Sequence, residues 1–253
     1  MTVSTLRALP LARRATALYC DVYGRGTPVL LLHDLGTNGS VFRPLVDALA
    51  EQYLVIVPDL RGHGHSSRLH GPNSVADMAA DVRNLLDLLL IPACYVLGYG
   101  AGGAVAQQLA REEPNRVRGL MLVCSYARRS PALFGRLEGR LRRGLARVGT
   151  REAIARDSQN SPCDVQRVAE VEHALEHFDS RAWLRSLHCP ALVIAGEYDL
   201  AAPLQSAREL AHGLADAQLA VVPKAGHSLL QTHADAVRDL VLAWLRARQE
   251  AAC

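Results

Sequence analysis

The sequence lacks the features by which membrane and secreted proteins are usually recognised. None of its apolar runs approaches the roughly 18 residues that a membrane-spanning helix needs. The stretch from Leu11 to Leu18 is interrupted by Arg13 and Arg14 and is too short for a signal peptide. We therefore expect no membrane partner and a cytoplasmic location.

The cysteines also lack any paired spacing. All six are scattered without a C-x-x-C motif, and Cys94 and Cys124 lie in apolar, strand-like runs where a free thiol behaves as a small hydrophobe. This distribution predicts a reducing compartment, without disulfides or structural zinc. A net charge of only +3 gives no indication of nucleic acid as a partner.

Length and patterning predict one large α/β domain with an insertion. The chain has 253 residues, 49% of them apolar and 21% charged. Continuous apolar runs alternate with amphipathic stretches, which predicts a mostly parallel, doubly wound sheet with helices on both faces. We predict strands at 17–23, 29–32, 54–57, 94–97, 120–123, 191–195 and 219–222, and helices at 42–50, 75–90, 204–214 and 235–248.

One region interrupts the alternation. Residues 128–187 contain no strand-like run and are rich in arginine. We predict that they form a helical cap over the carboxyl edge of the sheet, which leaves 1–127 and 188–253 as the core. An apolar stripe (Phe134, Leu137, Leu141, Leu145, Val148) and a basic stripe (Arg136, Arg140, Arg143, Arg147) share the same turns. The arginines form either a solvated helix face or a surface for an anionic substrate or acyl carrier.

Candidate site residues follow the predicted strands, and parallel sheets form their sites at the carboxyl ends of strands. Between Gly98 and Gly102, a strand, a tight turn and a helix have the spacing of a nucleophile elbow, G-x-S-x-G. Gly100 stands where the serine is expected. The residues that fall just after a predicted strand are His33, Asp59, Gly100, Ser125, Asp199 and His227.

Five motifs in this order resemble the α/β-hydrolase superfamily over nearly the whole chain. Within the superfamily, the sequence is most similar to small capped esterases and enol-lactonases such as 3-oxoadipate enol-lactonase. The resemblance implies a small-molecule ester, lactone or acyl substrate and no cofactor. It leaves the oligomeric state open, with a homodimer as one alternative. The motifs are Leu31-Leu32-His33-Asp34-Leu35-Gly36, Asp59-Leu60-Arg61-Gly62-His63-Gly64-His65-Ser66, Gly98-Tyr99-Gly100-Ala101-Gly102-Gly103, Gly196-Glu197-Tyr198-Asp199 and Gly226-His227-Ser228.

The resemblance implies roles for individual residues. Asp199 would be the acid of a catalytic triad, and His227 a neutral general base oriented by it. The backbone amides of Leu35 and Ala101 would form the oxyanion hole, and His33 would brace the loop that carries it. The further pocket candidates are Asp34, Tyr99, Ser125 and Tyr126.

Several other polar residues have plainer interpretations. His63 and His65 are expected to be loop and surface residues. His173 and His177 lie one helical turn apart, but no carboxylate completes a metal motif, so we expect a solvated face there and no metal, nucleotide or flavin. Ser125 follows a strand without a glycine elbow around it, which argues against a relocated nucleophile.

Two residues depart from the family pattern. Loss of a catalytic serine typically costs about 10⁶-fold in kcat, so Gly100 would leave a plain esterase almost inactive. It would also relieve about 1–3 kcal/mol of backbone strain at the elbow. It fits a lost activity with another role retained, a changed mechanism, or an engineered inactive variant. Asp34 replaces the usual glycine; facing inward it would oppose an oxyanion, and facing outward it would matter little.

Three functions remain open. The first is a hydrolase, either inactivated or using a water that His227 activates in the space left by the serine side chain. The second is a cofactor-independent lyase, cyclase or isomerase with His227 as the base. The third is a non-catalytic protein that retains the pocket to bind a ligand.

Overall fold

The computed structural model describes residues 18–66, 73–129 and 165–250. Within them, seven strands form one sheet in the order β1-β3-β2-β4-β5-β6-β7. β1 pairs antiparallel with β3, and every other neighbouring pair is parallel. This confirms the predicted α/β class and mostly parallel sheet. The strands are β1 (Cys20–Gly24), β2 (Thr27–Leu32), β3 (Tyr53–Pro58), β4 (Cys94–Tyr99), β5 (Val117–Val123), β6 (Ala191–Gly196) and β7 (Ala217–Val222).

The continuous apolar runs arise because both faces of the sheet are covered. Along β2, Leu30 and Leu32 join one hydrophobic cluster, whereas Val29 and Leu31 join the other. Successive side chains of a strand point to opposite faces, so a strand buried on both sides has no polar positions to alternate. Burial on both faces holds the central strands in place, and the strands in turn position the loops at their carboxyl ends.

Helices cover the two faces separately. In chain order they are α1 (Arg43–Ala50), α2 (Val75–Leu88), α3 (Ala101–Glu112), α4 (Val165–Glu176), α5 (Leu204–Gly213), α6 (Leu229–Thr232) and α7 (Ala234–Glu250). α2, α3 and α5 contribute to the first cluster, and α1 and α7 to the second. α2 begins with a reciprocal capping box formed by Ser74 and Asp77. Within the described residues, every helix is too short or too polar to cross a lipid bilayer.

The predicted cap lies only partly within the described residues. These include α4 and a short turn, Leu184–Ser186, and both pack on the first cluster through Val171, Leu175 and Leu184. The apolar and basic stripes of residues 134–148 lie outside the described residues, as do Cys163 and Cys253. The boundaries of the cap therefore stay a prediction. The cysteines of the described part, Cys20, Cys94, Cys124 and Cys189, form no disulfide.

Candidate active site

The elbow is present at the carboxyl end of β4. β4 ends at Tyr99, α3 begins at Ala101, and Gly100 between them has φ +53° and ψ −116°. This backbone conformation is strained for a residue with a side chain and costs glycine little. Gly102 allows close packing, since a Cβ there would overlap the backbone oxygen of Leu32. The sharp turn thus directs the start of α3 towards the site.

The predicted acid and histidine lie side by side. Asp199 is buried, and its Oδ1 accepts hydrogen bonds from the amides of Ala201 and Ala202, each at 2.8 Å. Its Oδ2 lies 2.8 Å from Nδ1 of His227. The Ala201 and Ala202 amides hold the Asp199 carboxylate in one orientation. The carboxylate in turn orients the ring of His227 so that Nε2 faces the elbow.

Asp34 faces inward and occupies the centre of the site. Its Oδ2 lies 3.0 Å from Nε2 of His227, and its Oδ1 accepts a 2.7 Å hydrogen bond from the Ala101 amide. The Leu35 amide lies near the same carboxylate and helps to lower its pKa. Of the two amides that the resemblance assigns to the oxyanion hole, that of Ala101 is therefore bound to a side chain of this chain, and that of Leu35 lies beside the same side chain.

The Asp34 carboxylate also fills the space that a side chain at position 100 would need. A Cβ placed on Gly100 would overlap the Cγ and Oδ1 atoms of Asp34. The sequence-based expectation of room for a water in this place is therefore wrong. The glycine makes space for the carboxylate, and the carboxylate fills that space.

The charges of the site differ from those of a serine triad. Burial alone lowers the pKa of His227, but hydrogen bonds to Asp199 and Asp34 outweigh it and raise the pKa to about 12. For Asp34, burial raises the pKa, while hydrogen bonds from His227 and the amides bring it below its usual value. These directions favour an imidazolium at His227 between two carboxylates, in contrast to the neutral base that the resemblance implies.

Two neighbours of His227 complete its surroundings. The hydroxyl of Tyr99 donates a 2.7 Å hydrogen bond to the backbone oxygen of His227, and the two rings stack 5.6 Å apart. Cys124, directly after β5, has φ +48° and a buried thiol that contacts His227.

Ligand atoms of Cys124, Asp199 and His227 lie within 4.8 Å of one another and could hold a metal ion. Both ring nitrogens of His227 already face carboxylates, so we interpret the group as a hydrogen-bond network.

Sequence reasoning treated Cys124 only as an apolar strand residue. Its position after a strand, beside Ser125, was the available signal. Ser125 itself is buried and donates a 2.9 Å hydrogen bond to the backbone oxygen of Gly100, so it braces the elbow. Tyr126 is buried too, and burial raises the pKa of its hydroxyl. Its backbone oxygen accepts from Gln107 Nε2 at 3.1 Å.

The histidines in the loops after β2 and β3 differ in burial and in hydrogen-bond partners. His33 is buried; its Nδ1 lies 2.8 Å from the Asp34 backbone oxygen, and its Nε2 accepts from the Leu60 amide at 2.9 Å. His63, expected at the surface, is also buried, with Nε2 accepting from the Gly36 amide at 3.0 Å. A polar loop sequence does not reveal that backbone groups will surround one of its rings. His65 is exposed, as are His173 on α4 and His177 just after that helix.

Known proteins are similar along most of the chain. The family model described as alpha/beta hydrolase fold matches residues 27–167, and a model described as TAP-like protein matches 152–252. A protein of Azorhizobium caulinodans, named provisionally as the carbamate hydrolase RutD, is 30% identical to this chain. The alignment covers 92% of this chain and 97% of that protein. A pimeloyl-acyl-carrier-protein methyl ester esterase of Chromobacterium violaceum is 30% identical, and the alignment covers 88% of this chain and 96% of the esterase.

Solved structures of known proteins have the same fold. The crystal structure of an enol-lactonase from Burkholderia xenovorans LB400 matches this chain with a TM-score of 0.78 and 27% sequence identity, over 90% of this chain and 96% of the enol-lactonase chain. This chain belongs to the α/β-hydrolase fold family. At the elbow of this chain, Gly100 and the inward-facing side chain of Asp34 lie directly against each other.

Proposed function

We propose that this protein hydrolyses a small ester, lactone or related acyl compound without a serine nucleophile, by direct attack of water. The observation that carries the proposal is the ordered network at the elbow, where His227 is held between Asp199 at 2.8 Å and Asp34 at 3.0 Å. An acid and a base at fixed positions are the groups that hydrolysis needs in place of a covalent step. The names of the similar proteins, a carbamate hydrolase, an esterase and an enol-lactonase, support the reaction class.

The accessibility of the site supports a small substrate. The side chain of Asp199 is fully buried, whereas those of Asp34 and His227 are 17% and 28% exposed. The two groups that would meet the substrate are thus reachable, and the group that orients His227 is not. A cytoplasmic location and a small-molecule partner stay predictions from the sequence, and the oligomeric state stays open, with a homodimer as one alternative.

A cofactor-independent lyase, cyclase or isomerase is the second candidate, and one observation favours it. The Ala101 amide is hydrogen-bonded to Asp34, and the same carboxylate lies beside the Leu35 amide, so this place is not open to the oxyanion of an acyl substrate. Proton transfer at a carbon atom needs an acid and a base but no second use of these amides.

The test compares the wild type with His227→Ala and Asp199→Asn on short p-nitrophenyl esters and small lactones. We expect hydrolysis by the wild type and a loss of about 10²- to 10⁴-fold in kcat/KM in both variants, because each disables the acid–base group. Glu197→Gln is the matched control, since this exposed carboxylate on the Asp199 loop accepts only from the Lys224 amide among the contacts described.

The alternatives give different results. Proton NMR of the same lactones in D₂O distinguishes the second candidate, which predicts deuterium incorporation without hydrolysis. A ligand-binding protein would show saturable binding without turnover, unchanged in His227→Ala. Turnover that persists unaltered in His227→Ala contradicts the proposal.

A further inference from the structure

Gly100 and Asp34 are complementary, although they lie 66 positions apart in the chain. The carboxylate of Asp34 occupies the space that a Cβ at position 100 would enter. With serine at 100, the carboxylate would have to move. With glycine at 34, the elbow would present no side-chain oxygen to a substrate. The two departures therefore act as one exchange: the oxygen that faces the substrate comes from a different loop.

The carboxylate is held firmly in this place. The Ala101 amide donates to Oδ1 at 2.7 Å, the Leu35 amide reaches the same carboxylate, and His227 faces Oδ2 at 3.0 Å. The backbone oxygen of Asp34 is fixed as well. It accepts 2.8 Å hydrogen bonds from the Thr37 hydroxyl and from the His33 ring. A side chain held by the Ala101 amide and the His227 ring on a braced backbone is preorganised for chemistry.

We propose that Asp34 has replaced the elbow serine as the group that acts on the substrate, working as a general base with His227 as its acid partner. This inference rests on the proposed hydrolase function and deepens it by naming the base. It also exchanges the roles that the family resemblance implies, since His227 now donates a proton in the first step.

The hydrolytic step balances without any further reactant. Asp34 Oδ2 takes a proton from water as the water oxygen bonds to the acyl carbon. The bond from that carbon to the leaving oxygen breaks, and its electron pair takes the proton of His227 Nε2. The products are a carboxylic acid and an alcohol, or an opened lactone. The proton on Asp34 then passes to His227 across their 3.0 Å contact, and the site returns to its starting state.

The charges of the surrounding groups fit these roles. Among the described residues, the titratable groups that face His227 are Asp34, Asp199, Cys124 and Tyr99. Burial raises the pKa of the Cys124 thiol and of the Tyr99 hydroxyl, so both are neutral near pH 7. The depressed pKa of Asp34 and the raised pKa of His227 keep carboxylate and imidazolium together over a wide range. We therefore expect that kcat/KM does not fall as the pH drops through about 6.5, whereas a neutral histidine base would lose its activity there by protonation.

Labelling with a fluorophosphonate tests the exchange independently of any substrate. The proteins compared are the wild type, Gly100→Ser, Asp34→Gly and the Gly100→Ser/Asp34→Gly double variant, each checked by thermal unfolding. We expect labelling of the introduced serine, located by peptide mass mapping, to be at least about tenfold faster in the double variant than in Gly100→Ser, because only the double variant frees the amides and His227. Adding His227→Ala to the double variant should abolish the label. Equal labelling of Gly100→Ser and the double variant, at any level, overturns the inference.

The pH–rate profile tests the role of Asp34 as base. Asp34→Asn retains the shape of the side chain and removes its charge. We expect a loss of at least about 100-fold in kcat/KM and a residual activity that rises with pH, because His227 then becomes the only base. A wild-type rate and profile in Asp34→Asn would overturn the role. Absence of turnover in the wild type contradicts the proposed function and with it the role of Asp34 as base, and the labelling contrast then decides only whether the Asp34 carboxylate occupies the place of the serine.

Discussion

Two regions of the site enclose histidines, and their surroundings shift the pKa of the ring in opposite directions. In the loops after β2 and β3, His33 and His63 contact mainly backbone groups. Burial lowers the pKa of both, that of His63 to about 4. At the elbow, the two carboxylates around His227 outweigh burial and raise its pKa to about 12. Burial alone does not decide the charge of a histidine; the charge of its partners does.

The two regions are joined at one point in the chain. His33 braces the backbone oxygen of Asp34, while the side chain of Asp34 faces His227. A neutral, structural ring thus fixes the residue whose carboxylate keeps another ring charged. The comparison predicts that damage to the structural region lowers stability, and that damage to the elbow mainly changes charge and chemistry.

The largest expected effect on stability comes from His33→Ala. This change removes a fully buried ring, its bond from the Leu60 amide and its bond to the Asp34 oxygen. A cavity and an unsatisfied buried amide together cost about 3–4 kcal/mol of the free energy of unfolding. Urea denaturation measures the loss.

The matched control for this variant is His65→Ala, at an exposed histidine of the neighbouring loop. It should cost below about 1 kcal/mol. If both variants lose the same stability, the two regions do not differ in the way described, and His33 is not a structural support of the site.

The sequence contained more of the fold than of the site. Continuous runs such as 29–32 and the order of Gly100, Asp199 and His227 predicted the sheet and the positions of the site, because both depend on local pattern and topology. The orientation of Asp34 was left open, and the burial of His63 was predicted wrongly. Both depend on how loop backbones pack against one another, which no periodicity encodes. The charge of His227 could not be predicted either, since it follows from a contact across 193 positions.

The pH dependence of stability should separate the two regions. Below a pH of about 6.5 the unfolded chain protonates His33 and His63 while the folded chain resists protonation, so their contribution to stability is lost as the pH falls. For His63 this loss extends to a pH of about 4. The raised pKa of His227 acts in the opposite direction. Its contribution is fully present below pH 6.5 and is lost as the pH rises towards about 12. Each proton contributes a slope of up to about 1.4 kcal/mol per pH unit.

Unfolding measured from about pH 4.5 to 10 in His63→Gln and Asp34→Asn tests this separation. His63→Gln should flatten the acidic limb and leave the alkaline limb unchanged, because glutamine does not titrate. Asp34→Asn should leave the acidic limb unchanged and end the alkaline decline at a lower pH, since His227 loses one carboxylate. The window stops short of stronger acid because the depressed pKa of Asp34 adds its own loss of stability below about 3.8. A change in the same limb for both variants would contradict the comparison.

The smallest effect is expected from Tyr99→Phe, which sits at the elbow but acts on the backbone. Its hydroxyl donates to the backbone oxygen of His227 and touches neither carboxylate of the network. Removing one such hydrogen bond costs about 1 kcal/mol of unfolding free energy, while the stacked ring stays in place. The alkaline limb of stability and the fluorophosphonate labelling of the Gly100→Ser/Asp34→Gly variant should both persist when Tyr99→Phe is added. Loss of either would mean that the Tyr99 hydroxyl, and not the two carboxylates alone, sets the position and charge of His227.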